Sequence, residues 1–280
     1  MIWRCRERVF DLTTRSLVMG IVNVTPDSFS DGGRFAEPAA ALAHAKQLLA
    51  DGADLLDLGG ESTRPGSSPV PAEEQWRRLS PVIEGLRRDA PDACLSVDTS
   101  SAEVAHRALE LGCHVVNDTS ALGDPAMAPL VAKSGAGVVL MHMRGTPATM
   151  QNDPRYDDVV AEVGAHLTER RKQARDAGIA EEFVAVDPGV GFGKALEHNL
   201  TVLANLDRLE TGGRPLVLGV SRKSFIGRVL DRPADQRLEG GLAATGVIVL
   251  LGARVIRTHD VATTLPAVRV ADALRAARRA

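Results

Sequence analysis

The 280-residue sequence predicts one (β/α)8 TIM barrel, with a short N-terminal extension covering the barrel bottom. Three observations predict it. A unit recurs along the chain in which a helical stretch is followed by Gly, a short apolar strand and polar residues, as in LLADGADLLDLGG, ALELGCHVVNDTS and LLGARVIRTHD. The Gly stands five residues before Asp57, Asn117 and Arg257, where it suits the left-handed position just past a helix end. Eight apolar strand candidates can be counted along the chain, and the continuous apolar character of such runs suits strands buried on both faces of a parallel sheet. Helical patterns fill the intervals between them. Eight βα units in this length favour a closed barrel over the runner-up, an open doubly wound sheet.

In chain order, residues 1–16 precede the first strand and are assigned to the bottom cover, and residues 17–280 form the single barrel domain. The strands are expected at 17–23, 54–59, 94–98, 113–117, 137–142, 183–187, 215–220 and 254–258. The first helix is expected over 38–50, started by Pro38, with Leu42, Ala45 and Leu49 on one face. Further helices are expected over 73–89, 101–111, 125–134, 157–177, 197–210, 222–230 with 238–251, and 261–278. The connections 24–37 and 60–72 are long for βα loops and rich in Gly, Pro, Ser and Asp. Such loops are either functional lids or disordered.

Composition excludes several classes. With 44% apolar and 25% charged residues, the chain is ordinary for a folded domain. A net charge of −3 predicts neither a nucleic-acid face nor an anionic-membrane face. Cys5, Cys94 and Cys113 show no CxxC or Cys/His metal spacing, and an odd number cannot pair completely. A reduced, cytoplasmic compartment is therefore expected. The segment 1–15 is charged and lacks a signal-peptide core, and the apolar stretch 242–255 is too short to span a bilayer.

In such a barrel the chemistry sits at the C-terminal ends of the strands. Those ends read Asn23, Glu61, Asp98, Asn117, His142, Asp187, Ser221, and Arg257 with His259. Any one of these is easily a cap or turn former. All of them together predict a polar cup. Asp98, Asn117 and Asp187 suit a flat, nitrogen-rich heterocycle, since a carboxylate accepts two parallel N–H bonds from an amino-pyrimidinone edge. Lys223 and Arg257 supply positive charge, and Arg257 and His259 are spaced to face one anion. GVSRKSFIG runs from a strand into a helix whose first N–H groups, near Ser224, are suited to an anion.

Seven segments, in order, resemble the dihydropteroate synthase family: MGIVNVTPDSFSDGG, LLDLGGESTRPGSSPV, SVDTS, VVNDTS, VDPGVGFGK, GVSRKSFIG and RTHD. The resemblance covers roughly residues 17–272. It implies a transferase of folate biosynthesis that joins (7,8-dihydropterin-6-yl)methyl diphosphate to 4-aminobenzoate, and a sulfonamide target.

The same resemblance implies site roles. Asp98, Asn117, Met141, Asp187, Lys223 and Arg257 would bind the pterin; Asn23, Thr63, Arg257 and His259 the pyrophosphate. Asn23 would also hold Mg²⁺, the one cofactor implied. Phe29, Thr63, Arg64, Pro65, Phe192 and Ser224 would surround 4-aminobenzoate. Lys223, Arg257 and His259 would act in catalysis, with Asp31 stabilising the pterin cation or accepting the aniline proton. A homodimer is implied, with no nucleic-acid or membrane partner. Two alternatives share the barrel: a pterin-binding methyltransferase module and a catalytically inactive paralogue. The first would not need Thr63–Arg64–Pro65 or Ser221–Arg222–Lys223.

Overall fold

The computed structural model describes residues 1–25, 33–62 and 66–279. Ten strands and nine helices form among them: β1 Ile2–Cys5, β2 Arg8–Asp11, β3 Leu17–Asn23, α1 Gly33–Ala50, β4 Leu55–Gly59, α2 Ala72–Asp89, β5 Cys94–Asp98, α3 Ala102–Glu110, β6 Val115–Asp118, α4 Met127–Ser134, β7 Gly137–Met141, α5 Val159–Asp176, β8 Val184–Asp187, α6 Leu196–Ala204, β9 Leu216–Gly219, α7 Ser224–Leu230, α8 Leu238–Leu250, β10 Ala253–Thr258 and α9 Val261–Arg279. Strands β3 to β10 close a parallel barrel, β10 pairing with both β3 and β9. This is the (β/α)8 architecture expected.

Strand alternation sorts the side chains into two cores. Outward residues such as Leu56, Leu58, Leu95, Val97, Val116 and Ile256 pack under the helices. Inward residues Leu17, Met19, Leu55, Cys94, Val115, Val139, Ala185, Val217 and Val255 fill the barrel's lower interior. One step of two residues higher, five of the inward positions turn polar, Asp57, Ser96, Asn117, Asp187 and Arg257, beside Ile21, Met141 and Gly219. The interior is therefore an apolar floor beneath a polar mouth.

The floor is sealed from below by residues 1–16. β1 and β2 form an antiparallel hairpin, with Ile2 opposite Asp11 and Cys5 opposite Arg8. Trp3, Cys5 and Leu12 are fully buried against the inner apolar layer. The hairpin is tied to the strand entrances: Trp3 Nε1 donates to the Phe183 carbonyl at 3.1 Å, and the Arg6 N–H to Gly135 at 2.7 Å. Residues 1–16 thus do cover the bottom, although their hairpin form was not anticipated.

Helix ends follow the predicted logic. Gly52, Gly112 and Gly252 have φ of +98°, +91° and +125°, the left-handed backbone that only Gly adopts cheaply. Two helix boundaries differ from expectation. α1 begins at Gly33, so Pro38 is its sixth residue rather than its start, a position where proline gives up one i→i−4 hydrogen bond. The helix expected over 197–210 stops at Ala204 and continues as a 3₁₀ turn over Leu206–Arg208. All three cysteines are free and buried. Among the described residues, no helix is long and apolar enough to cross a membrane.

Trp3→Ala should cost about 3–5 kcal/mol, the usual range for deleting a buried aromatic. Urea unfolding measures this; a loss below about 1 kcal/mol would mean that the hairpin does not seal the floor.

Candidate active site at the C-terminal mouth of the barrel

The polar mouth is organised around Asp57. Its neighbours in β4, Leu56 and Leu58, face the helices, so Asp57 points into the barrel and is fully buried. Its Oδ1 accepts the Ser96 hydroxyl at 2.6 Å. Its Oδ2 accepts Asn117 Nδ2 at 2.9 Å and Arg257 Nε at 2.6 Å. A carboxylate only accepts, so the Asn117 amide must turn its nitrogen toward Asp57. Register places Asn23, Gly59 and Asp98 side by side across β3, β4 and β5 at the next level. Without a side chain at Gly59, the Asn23 and Asp98 side chains share the space above it.

Arg257 is held by two carboxylates. Besides Asp57, Asp98 Oδ2 accepts its Nη2 at 2.7 Å, so two in-plane bonds fix the guanidinium plane. Burial opposes the Arg257 charge, but Asp57 and Asp98 outweigh it and raise its pKa. Burial pushes Asp98 up from the ordinary carboxylate range, with Arg257 acting against that and Asp57 with it. Asp187, at the end of β8, is likewise pushed up by burial; its Oδ1 accepts the Gly189 N–H at 2.7 Å, which acts the other way.

The opposite wall is cationic. Lys223 precedes α7 and donates to the Val190 carbonyl at 2.8 Å, with its ammonium 4.3 Å from the centre of the Phe192 ring. Burial lowers the Lys223 pKa to about 8, Asp187 working against that shift. Lys223 is therefore not the solvated cation that its position near a helix start would permit. Ser224 is the exposed first residue of α7.

Past the end of β10, His259 meets Ser221. The His259 backbone N–H donates to Ser221 Oγ at 3.3 Å, and the same Oγ lies 3.1 Å from Nδ1. Burial, then Arg257 and Arg222, push His259 down to about 4. A neutral imidazole whose Nδ1 accepts the Ser221 hydroxyl carries its proton on Nε2, leaving that N–H to donate elsewhere.

The structure gathers Asn23, Asp98, Asn117, Met141, Asp187, Phe192, Lys223, Ser224, Arg257 and His259 around or beside this mouth. Two strand-end residues expected in the cup turn elsewhere. Glu61 anchors its own loop, accepting the Val70 N–H at 2.9 Å and Gln75 Nε2 at 3.1 Å. His142 is buried with Nδ1 2.8 Å from Lys194 Nζ. His142 is buried and needs a protein partner because no water reaches it, whereas Glu61 is partly exposed and is turned aside by the donors of its own loop. Phe29, Asp31, Thr63, Arg64 and Pro65 lie outside the described residues. Asp57 and Ser96 were missed. A signal existed: a charged residue between leucines in LLDLG, in a strand buried on both sides, must point inward to a partner.

Asp57→Asn would set an amide against the donors of Asn117 and Arg257. Breaking a buried ion pair this way should destabilise the fold by about 3 kcal/mol, with Asp98 still holding Arg257. Denaturant unfolding reads it directly, and a change under about 1 kcal/mol would remove Asp57 from the centre of the network.

Comparison with known proteins identifies the framework. A family model described as "Pterin binding enzyme" matches residues 19–259. The dihydropteroate synthase of Escherichia coli (strain K12) is 44% identical over 261 residues, covering 93% of this chain and 92% of that protein. The crystal structure of Yersinia pestis dihydropteroate synthase with a sulfonamide drug complex is similar at a TM-score of 0.92 and 43% identity, covering 99% of this chain and 100% of that one. Xanthomonas albilineans dihydropteroate synthase with 4-aminobenzoic acid is similar at a TM-score of 0.91 and 46% identity, covering 98% of each chain. With the barrel closed, the polar mouth formed and the match running through nearly the whole chain, the protein belongs to the pterin-binding enzyme family, among the dihydropteroate synthases.

Proposed function

We propose that this chain is a transferase that condenses (7,8-dihydropterin-6-yl)methyl diphosphate with 4-aminobenzoate, giving 7,8-dihydropteroate and diphosphate. One observation carries the reading. The acceptors Asp98, Asn117 and Asp187 share a single barrel mouth with Lys223 and Arg257, in a chain 44% identical to a dihydropteroate synthase.

Asp98, Asn117, Asp187 and Lys223 bind the pterin edge, Met141 packs beside it, and the fixed Arg257 plane lies against the ring. Asn23, Thr63, Arg257 and His259 meet the diphosphate, with His259 offering its Nε2 proton. The C–O bond to diphosphate breaks, the electron-rich pterin carries the resulting cation, and the aniline nitrogen closes the C–N bond. The aniline then gives up a proton, for which Asp31 is the assigned acceptor. Phe29, Thr63, Arg64, Pro65, Phe192 and Ser224 form the 4-aminobenzoate site, with Ser224 at the carboxylate. The chain's contribution is orientation and preorganised charge rather than a covalent intermediate.

Mg²⁺ suits this site in a particular way. Asn23 offers a hard, neutral amide oxygen, and among the described residues no cluster of three or more His, Cys, Asp or Glu can hold a metal. So sparse a donor set suits an ion held mainly by diphosphate and water, with Asn23 as its protein ligand. When bound, it supplies positive charge to the departing diphosphate.

A dihydropteroate assay tests both assignments. With both substrates and Mg²⁺, dihydropteroate and diphosphate should appear together; excess chelator should suppress both, and Asn23→Ala should raise the Mg²⁺ requirement. Folded protein that forms no dihydropteroate would overturn the reading. Full activity in chelator would remove Mg²⁺ and the Asn23 role alone.

The homodimer is assigned to the α8–α9 face, where Val247 is 51% exposed, Val270 61% and Leu274 56%. Exposed apolar residues on two helices packed against each other favour burial against a second copy. A reduced, cytoplasmic setting fits three free, buried cysteines. Val247→Asp combined with Leu274→Asp should convert a dimer to monomer in analytical ultracentrifugation. A wild-type protein sedimenting as a monomer at micromolar concentration would end the dimer assignment.

A further inference from the structure

The loop after β8, residues 188–193, uses its backbone in an unusual way. Five consecutive carbonyls each accept from a side chain: Gly189 from Lys194, Val190 from Lys223, Gly191 from Gln151, Phe192 from Lys194 and Gly193 from Tyr156. Gly189, Gly191 and Gly193 all have positive φ, 66°, 85° and 61°, which turns these carbonyls to different sides. Beyond one backbone turn bond, from the Phe192 N–H to the Gly189 carbonyl at 3.1 Å, side chains therefore hold the loop's shape.

Lys194 takes the most demanding part. Its side chain is 2% exposed, and Nζ meets His142 Nδ1 at 2.8 Å, the Gly189 carbonyl at 3.0 Å and the Phe192 carbonyl at 3.2 Å. An ammonium has three N–H donors, and three acceptors answer them. All three acceptors are neutral. Burial, then the Lys194 charge, push His142 down to about 2, keeping it an acceptor. Burial likewise lowers Lys194 to about 7; Asp187 opposes that shift, while Lys223 and Arg144 add to it. A charge buried among neutral acceptors costs stability that an apolar residue would not. The loop it shapes carries two groups of the mouth, the Val190 carbonyl that holds Lys223 and the Phe192 ring beside it.

The structure assigns Lys194 a positioning role: its buried ammonium gathers the loop around itself and so places Lys223 and Phe192 for the two substrates. Lys194 makes its hydrogen bonds to His142 and the loop, and places the mouth through those two residues, while its charge also acts on Asp187. The role rests on the proposed assignment of Lys223 to the pterin and Phe192 to 4-aminobenzoate. Asn199 supports the same loop from α6, accepting the Gly191 N–H at 2.6 Å and donating to the Lys194 carbonyl at 3.1 Å.

Lys194→Ala tests the role because it leaves a hole lined by three acceptors, which a small cation can fill. The variant should lose about tenfold or more in kcat/KM for 4-aminobenzoate, as expected when a positioning element shifts. Ammonium or propylammonium should restore part of that loss, while sodium at equal ionic strength should not. A folded variant within about twofold of wild type for both substrates overturns the proposal. So does a folded, impaired variant that neither amine restores, since Lys194 would then be a packing residue. Should Lys194→Ala not fold, His142→Phe removes one acceptor and keeps a ring in place. It should lower the same constant by about threefold or more, and unchanged constants for both substrates overturn the proposal. If the wild type makes no dihydropteroate, the functional reading fails separately. Hydrogen exchange then decides the loop role: amides 188–193 should lose protection in His142→Phe, and unchanged protection overturns it.

Discussion

The Arg257 guanidinium, held edge-on by Asp57 and Asp98, is the interaction on which the mouth of this barrel depends. It joins β10 to β4 and β5 across the interior, and through Asp57 it also orients Ser96 and Asn117. None of these groups keeps its geometry alone. A single in-plane hydrogen bond would leave the guanidinium free to rotate, and an Asn amide without Asp57 would have no reason to prefer one orientation. Two carboxylates around one arginine also leave negative charge on this wall, answered across the mouth by Lys223 and, behind the loop, by Lys194. The site is thus a field of fixed charges around the fully buried Asp57, partly shielded from water, where such charges act more strongly than in bulk solvent.

Folding and chemistry divide along the barrel axis. The lower interior is Leu, Val, Met, Ala and Cys, closed by Trp3 and Leu12, and it supplies burial without polar cost. Two residues further along, the same inward direction carries Asp, Asn, Ser or Arg in five of the eight strands. Each of these must be answered by a partner, or desolvation would outweigh what burial contributes. The apolar floor is what makes the polar layer tolerable, because it anchors the strands below a region that adds little stability itself.

Much of this was legible in the sequence, for a definite reason. Helix and strand periods, the left-handed glycines at 52, 112 and 252, and the apolar runs are local properties, and eight repeats of them leave few architectures. Strand ends of a barrel converge by topology, so Asp98, Asn117, Asp187, Lys223, Arg257 and His259 could be named as one cup. Seven motifs in order then pointed to the family, whose membership the comparisons show.

What only the tertiary structure decided is which polar residue answers which. Glu61 and His142 end their strands like the others, yet one anchors its loop and the other meets a lysine 52 residues away. Asp57 looked like part of an apolar strand and proved central, its partners lying 39, 60 and 200 residues distant. The hairpin beneath the floor likewise depends on strand entrances far along the chain. Periodicity determines the face on which a residue sits, because it is set by backbone geometry alone. Pairing depends on directions and distances that exist only once the barrel has closed.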